Sequence, residues 1–206
     1  MNSRVLVTDA QSRAGLATIR SLGRHGIRVT AADHDRVALG FFSRYCTRRL
    51  HYPDPVREPA RCAEAILEEL QRNRYDVVLP IFDECLLALA QRRQEVERHA
   101  RFPYLDHDRL MEGRDKLRTV AIARRHGLRT PATFAIRTER DVEDALEGCT
   151  LPLIVRPREA SASDGLHRVA AREDVWPTCE RVAGRFGPVM IQEYIPWGGF
   201  TYDVDV

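Results

Sequence analysis

Residues 4–33 read RVLVTDAQSRAGLATIRSLGRHGIRVTAAD, and this stretch decides the fold of the first half of the chain. Residues 4–8 are a short apolar, β-branched run, and residues 14–25 place apolar side chains at helical spacing. Gly26 offers the left-handed backbone that ends many helices, and a second apolar run leads from there to Asp33. A strand, a helix and a strand in this order predict a βαβ unit with two parallel strands.

The same alternation continues beyond this unit. Segments 49–52 and 76–81 have the composition of strands, and segments 58–74 and 82–96 have the periodicity of helices. Such alternation is typical of a parallel sheet covered by helices on both faces. We therefore predict an α/β fold that begins with a Rossmann-like domain over residues 1–105.

Composition narrows the class of protein. A chain of 206 residues is long enough for one large domain or two small domains, each with a hydrophobic core. Because 44% of the residues are hydrophobic and 30% are charged, the composition excludes a disordered chain. No apolar run approaches the roughly 18 to 20 residues of a membrane span, and no signal peptide is evident, so we predict a cytoplasmic protein without a membrane partner. Lys and Arg total 32 against 30 acidic residues, and a net charge of +2 provides no field for nucleic acid.

Cysteine and lysine usage add two further observations. The five cysteines are an odd number and contain no C-x-x-C pair, which disfavours a disulfide framework and a zinc site. Lysine occurs once, at Lys116, and every other basic side chain among the 32 is an arginine. This single lysine becomes a candidate functional residue only through its position in the second half of the chain.

A dinucleotide site is the first functional hypothesis for the βαβ unit, because an acidic residue such as Asp33 after the second strand can bind a ribose. The first loop disfavours it, since Asp9 and Arg13 stand where small residues let the backbone approach a pyrophosphate, and only Gly15 remains. A Rossmann-like scaffold without its own cofactor is the preferred interpretation. An NAD(P)-dependent reductase stays open as the alternative.

A candidate substrate crevice lies at the carboxyl ends of the predicted strands, where open α/β sheets bind ligands. Asp83 and Glu84 follow a strand and begin a helix there, and Asp9 and Asp33 follow the first two strands. For Asp83 and Glu84 the alternative is simple capping, because carboxylates are favoured in the first turn of a helix.

The second half of the chain alternates again, with longer loops. Helical periodicity covers residues 115–126, 139–146 and 172–186, and strand-like runs cover 151–155, 167–170 and 189–192. Between the first two of these strands lies a loop of small residues that ends at Gly165. Earlier in the chain, Gly127 ends the first helix, and residues 128–136 form a turn that leads into a further strand. We predict a compact α+β lobe over residues 106–196.

Several stretches of this half resemble conserved motifs of one superfamily. They are Asp115-Lys116 before a helix, GLRTP at 127–131, LIVRP at 153–157 with the small-residue loop 160–165, and QEYIP at 192–196. Upstream, DVVLPIFDECLLALA at 76–90 is similar to the last strand and helix of the preceding domain. In this order and spacing they resemble the ATP-grasp superfamily, in particular its carboxylate–amine ligases and carbamoyl-phosphate-synthase-like members.

The resemblance implies an ATP-binding site and assigns roles to its residues. ATP needs fixed cations and hydrogen-bond donors around its phosphates. The resemblance assigns these contacts to Lys116, to Arg156 in place of a second lysine, and to the hydroxyls of Ser161 and Ser163. It assigns binding of the adenine edge to a strand and bend, formed by Gln192, Glu193, Tyr194 and Ile195. Three departures weaken the match: Ala160 and Ala162 replace glycines, and Gly199 stands where a ribose-binding glutamate is expected.

By the same resemblance, residues 197–206 are the first strand of a second lobe that the chain does not complete. The magnesium ligands belong to that missing lobe, so we expect this chain alone to bind ATP weakly and not to catalyse. The complete enzyme would use ATP and Mg²⁺ to convert a small-molecule carboxylate to an acyl phosphate, which an amine attacks. Homodimer formation stays open, and a non-catalytic nucleotide-binding or scaffold module is the remaining alternative.

Overall fold

The computed structural model describes residues 3–160, 164–196 and 198, and the chain divides into two compact units, Met1–Leu110 and Met111–Val206. Each unit has its own sheet and its own buried core. The predicted strand over 197–206 lies outside the described residues, except for position 198.

The first unit is built on a four-stranded parallel sheet in the order β3-β2-β1-β4. Its elements, in chain order, are β1 (Arg4–Val7), α1 (Arg13–Arg24), β2 (Arg28–Asp33), a 3-10 turn (Leu39–Phe42), β3 (Cys46–His51), α2 (Pro59–Arg72), β4 (Val77–Leu79), α3 (Asp83–Gln91) and α4 (Arg93–Glu97). Helix α5 (His107–Arg114) contains the division between the two units. The predicted βαβ opening and the parallel sheet are confirmed.

Two cores cover the two faces of this sheet. Leu6, Ala32 and Val78 pack with α2, α3 and α4 on one face, and Val5, Val7 and Val29 pack with α1 on the other. Successive residues of a strand point to opposite faces, which is why neighbours in β1 belong to different cores. The first unit is therefore a doubly wound α/β domain, as predicted.

The prediction of one helix over residues 82–96 is wrong in one respect, because this segment forms two helices, α3 and α4. The backbone leaves the helical region at Arg92, where φ is −112° and ψ is 26°. This break redirects the chain so that Val96, in α4, is fully buried in the same core as α2 and α3. Tertiary packing of one valine overrides a continuous helical pattern.

The second unit contains a four-stranded antiparallel sheet in the order β5-β8-β6-β7. Its elements are α6 (Lys116–Arg125), β5 (Thr133–Ile136), α7 (Glu139–Gly148), β6 (Leu153–Pro157), β7 (His167–Val169), a 3-10 turn (Arg172–Asp174), α8 (Val175–Phe186) and β8 (Val189–Glu193). The predicted α+β lobe is confirmed in its order of elements.

One face of this second sheet holds the core of the unit. Leu153 and Val155 of β6 and Val189 and Ile191 of β8 pack against α7 and α8. Paired residues of neighbouring strands share a face, so the register places the intervening residues of the strands on the opposite side. We call that side the second face, and it carries Ile154, Arg156, Arg168, Met190 and Gln192.

Candidate functional site

The beginning of α6 is fixed by a buried carboxylate. Asp115 is only 4% exposed and caps the helix, because its Oδ1 accepts a hydrogen bond from the backbone N–H of Leu117 at 3.0 Å. An aspartate at this position satisfies one of the free N–H groups of the first helical turn. Because the cap fixes the start of α6, it also orients the first helical residue, Lys116.

Lys116 is joined to the loop that follows β6. Its backbone N–H donates to the Arg158 carbonyl at 3.1 Å, and its Nζ donates to the carbonyls of Arg158, at 3.3 Å, and Ala160, at 2.5 Å. Burial lowers the pKa of Lys116, and the positive charges of Arg156 and Arg114 lower it further. An anion beside this amine would therefore relieve an existing repulsion.

Arg156 lies on β6 and, by register opposite Met190 of β8, on the second face. Its side chain is half-buried, and burial lowers the pKa of the guanidinium. Within the residues that the structure describes, Arg156 makes no ion pair with a carboxylate. A half-buried guanidinium without an anion is costly, and it is well suited to bind a phosphate through two N–H groups.

Sequence reasoning missed Arg158, which connects three parts of the unit. Its guanidinium pairs with both carboxylate oxygens of Asp115, its carbonyl accepts from Lys116, and its N–H donates to the Pro188 carbonyl at 2.9 Å. The only signal was an extra arginine two positions after Arg156, which cannot be distinguished in a chain so rich in arginine. The pairing depends on a contact across 43 residues of sequence.

The loop after β6 returns through Gly165, which has a φ of +72°. A Cβ at this position would lie 2.7 Å from Cγ of Pro157 and 2.9 Å from the Phe186 ring, so only glycine fits. Ala160 does not adopt a left-handed backbone, so an alanine in place of a glycine causes no such strain there. Ser161, Ala162 and Ser163 lie outside the described residues, as does Gly199.

The predicted adenine-binding segment is anchored to β5. The backbone N–H of Glu193 donates to the Ala132 carbonyl at 2.8 Å, and its Oε2 accepts from the Ala132 N–H at 3.0 Å. Gln192 donates from Nε2 to Oγ1 of Thr133 at 3.1 Å. These bonds occupy the Glu193 N–H, so an adenine contact at this residue would need its carbonyl or the groups that follow.

Beyond Glu193, the segment turns towards the second face. The Tyr194 ring lies under the guanidinium of Arg168, 5.0 Å from its carbon to the ring centroid, and Ile195 is exposed. Arg168 shares the second face with Arg156, because both align with β6 and β8 on that side. The register therefore places Arg156 and Gln192 on the second face, and Tyr194 contacts Arg168 of that face, whereas Glu193 is paired with Leu153 and lies on the core side.

The carboxyl edge of the parallel sheet in the first unit gathers the other candidate residues. Asp9 is 7% exposed and adopts a φ of 54°, and its Oδ2 accepts from the backbone N–H groups of Ile81, at 3.1 Å, and Phe82, at 3.0 Å. Its backbone N–H donates to the Tyr52 hydroxyl at 3.1 Å. Asp9 therefore joins the ends of β1 and β4, and a substrate contact by its carboxylate stays a prediction.

Asp33 has a similar role at the end of β2. It is 1% exposed, and its two oxygens accept from the N–H groups of Gln11 and Asp35, each at 2.7 Å. Asp83 and Glu84 occupy the first turn of α3, the position that favours capping, and Asp83 is exposed there. Of the four predicted crevice residues, the structure thus buries two as braces of the sheet edge and leaves two in a helix's first turn.

The first loop of this unit is filled by the protein itself. Ser12 caps α1 by accepting from the Gly15 N–H at 2.9 Å, and a Cβ on Gly15 would lie 2.3 Å from the Asp9 carbonyl oxygen. The 3-10 turn packs directly on the loop, since the Gly40 N–H donates to the Ala10 carbonyl at 2.8 Å. A pyrophosphate would have to displace these contacts, which disfavours the dinucleotide alternative.

Comparison with known proteins gives the class of the fold. No family model matches the chain. It is 35% identical over 81 residues to the D-alanine–D-alanine ligase of Chromohalobacter salexigens, which is 39% of this chain and 26% of that protein.

Solved structures match over nearly the whole chain. The L-amino acid ligase of Bacillus licheniformis matches 94% of this chain and 44% of its own, with a TM-score of 0.71 and 18% identity. N5-carboxyaminoimidazole synthetase of Staphylococcus aureus, complexed with ADP, matches 95% of this chain and 48% of its own, with a TM-score of 0.74 and 13% identity. The chain shares the fold of these two enzymes over about half the length of each.

The residues that the structure describes contain neither a membrane-spanning helix nor a cluster of metal ligands. No described helix is long and apolar enough to cross a membrane. No three or more His, Cys, Asp or Glu side chains come together in the described ranges in a way that could hold a metal ion. Lys116, Arg156 and Arg158 lie together in the second unit and are the candidate functional site.

Proposed function

We propose that the second unit binds ATP on its second face. The observation that carries this proposal is the Arg156 guanidinium, half-buried and without a carboxylate partner among the described residues, close enough to Lys116 to lower the pKa of its amine. Two cations held together by burial need an anion with several charges, and a triphosphate supplies it. Ser161 and Ser163 would donate to the same phosphates.

The base of the nucleotide would lie near the other end of β8. Ile154, which is half-buried, provides apolar surface on the second face, and the backbone after Gln192, formed by Glu193, Tyr194 and Ile195, provides polar groups at its edge. An apolar surface with a few fixed polar groups is the usual form of a small-molecule site. Fixed polar groups at that end would select the base, and cations at the other end would hold the phosphates.

We further propose that the whole protein is an ATP-dependent ligase that joins a small-molecule carboxylate to an amine. A carboxylate oxygen attacks the γ-phosphorus, ADP leaves, and the amine then displaces phosphate from the acyl phosphate. Mg²⁺ would offset the charge of the phosphates during the transfer. By resemblance the ligands of Mg²⁺ belong to a second lobe, and we expect residues 1–206 on their own to bind ATP weakly and not to catalyse.

Partners and location follow from the same proposal. Small molecules are the expected ligands, a homodimer is an assembly open to this protein, and a net charge of +2 does not favour nucleic acid. A cytoplasmic location is supported by the five cysteines, all of which are free thiols.

The test is a calorimetric titration of the 206-residue chain with ATP. Arg156→Ala and Lys116→Ala should each weaken binding roughly ten- to hundredfold, because each removes a charge-assisted contact. The matched control is Arg125→Ala, which removes an exposed arginine from the last turn of α6 and should leave the affinity unchanged.

Two results would favour other functions. Tight NADPH binding that both substitutions leave unchanged would support the reductase. A folded chain that binds neither nucleotide, also when extended to its full natural length, would support a scaffold module.

A further inference from the structure

A second group of basic residues lies in the first unit, at the amino ends of the parallel strands. Arg4 and Arg28 are directly paired on β1 and β2, and Arg48 of β3 is paired with Thr30 two positions further along β2. Paired residues of parallel neighbours point to the same side of a sheet, so the three guanidinium groups share one face. Like charges on adjacent strands repel one another.

These arginines surround a cavity of about 260 Å³. Its lining is polar throughout and consists of Arg4, Arg28, Thr30, Thr47, Arg48, Asn73 and Tyr75. Thr30 and Tyr75 are each 5% exposed, and their hydroxyls lie 2.9 Å apart. The floor of the cavity is therefore built from buried hydrogen-bonding groups, and its rim from cations.

The acidic residues near the cavity are already engaged. Glu69 is 5% exposed, and its Oε1 accepts from Tyr75 at 2.6 Å and Asn73 at 3.1 Å and lies 3.2 Å from Arg48. Asp76 accepts from the backbone N–H of Arg4 at 2.8 Å. Among the described residues, neither the Arg4 nor the Arg28 guanidinium has a carboxylate partner.

We propose that this cavity binds the phosphate group of a small phosphorylated molecule. Guanidinium groups match the geometry of phosphate oxygens, and the Asn73 amide, which gives one N–H to Glu69, has a second N–H to donate. The volume exceeds that of phosphate alone, which leaves space for the group that carries it. The site lies at the edge of the sheet opposite to Asp9 and Asp33, and it does not depend on the ATP site proposed for the second unit.

The experiment uses inorganic phosphate and pyrophosphate as probes at constant ionic strength. Binding is measured by NMR shifts of the Thr30 and Tyr75 amides in the 206-residue chain carrying Arg156→Ala, so that the second unit contributes little. We expect saturable binding with a dissociation constant of about 1 mM or tighter, and an approximately tenfold loss for Arg28→Ala and for Arg4→Ala. Arg20→Ala, which removes an exposed arginine of α1, is the matched control and should leave the affinity unchanged.

Stability gives a second readout that a purely structural arginine would not show. Without phosphate and at low salt, the Arg28→Ala variant should have the same melting temperature as the parent chain with Arg28, or a higher one. The reason is that the substitution removes the repulsion between Arg28 and Arg4. Phosphate should then raise the melting temperature of the parent but not that of the variant. Shifts that do not saturate, or an equal loss with Arg20→Ala, would show only general attraction of anions to a basic surface and overturn the proposal.

Discussion

The guanidinium of Arg158 lies against the carboxylate of Asp115 and pairs with both of its oxygens. Asp115 caps α6, and Arg158 follows β6, so this one contact fixes the helix that carries Lys116 to the loop that receives its amine. The pair is the central brace of the proposed nucleotide site.

Replacing Arg158 by alanine should lower the free energy of unfolding by about 1–3 kcal/mol, because a nearly buried carboxylate loses its charged donor. Urea denaturation measures this loss. ATP affinity should fall as well, since Lys116 would no longer be held in place. Arg158→Lys keeps the charge without the two-pronged geometry and should recover part of both effects, whereas an Arg158→Ala chain as stable as the parent would contradict the brace.

The pH dependence of stability should report on the same carboxylate. Burial raises the pKa of Asp115, but the hydrogen bond and charge of Arg158 and the N–H groups of Leu117 and Arg118 outweigh it, so the net shift is downward. A carboxyl with a lowered folded pKa adds stability above its ordinary value of 3.8 and loses it as the pH falls through the folded value.

Urea unfolding from pH 7 down to about 3, for the parent and for Asp115→Asn, tests this sign. The free energy of unfolding of the unsubstituted chain should exceed that of Asp115→Asn by a constant amount above the ordinary carboxyl pKa, and by less as the pH falls below it. In an Arg158→Ala background the pH dependence of that difference should be much weaker. A difference that grows as the pH falls would refute the assignment.

Lys116 can be observed alone, because it is the one lysine of the sequence. With lysine labelled by ¹³C at Cε, a single NMR signal should titrate below the ordinary pKa of 10.5, owing to burial and to the charges of Arg156 and Arg114. Arg156→Ala should raise this pKa, since it removes a like charge, and Arg125→Ala should not change it. Added ATP should raise the pKa of Lys116 in the unsubstituted chain. A pKa that does not change with ATP would show that Lys116 does not contact the phosphates.

Gly165 offers a test of the loop geometry. Gly165→Ala should destabilise the chain by at least about 1–2 kcal/mol, because the backbone is left-handed and the new Cβ would meet Pro157 and Phe186. Gly184→Ala is the matched control, since Gly184 lies within α8 with open space around it. That control should stabilise by about 0.5–1 kcal/mol, and thermal unfolding of both variants would show whether the two signs differ.

Local features of the sequence were sufficient for the order of elements. Alternating apolar runs predicted the parallel sheet, and glycines such as Gly26 and Gly127 marked the ends of helices, because these patterns act within a few residues. The helix over 82–96 was predicted as one piece because periodicity does not show that burying Val96 requires a break at Arg92. Helix α5 was not predicted, and none of its residues is buried.

By itself, the sequence determined the fold class, because periodicity is a property of neighbouring residues. The resemblance of its motifs to a known superfamily predicted Lys116 and Arg156 as phosphate ligands. Only the tertiary structure decided what holds them and what else lies beside them. The partnership of Arg158 with Asp115 and the grouping of Arg4, Arg28 and Arg48 on one face arise from helix packing and strand register. Both join residues that are distant in the chain, and such contacts form only when the whole core is in place.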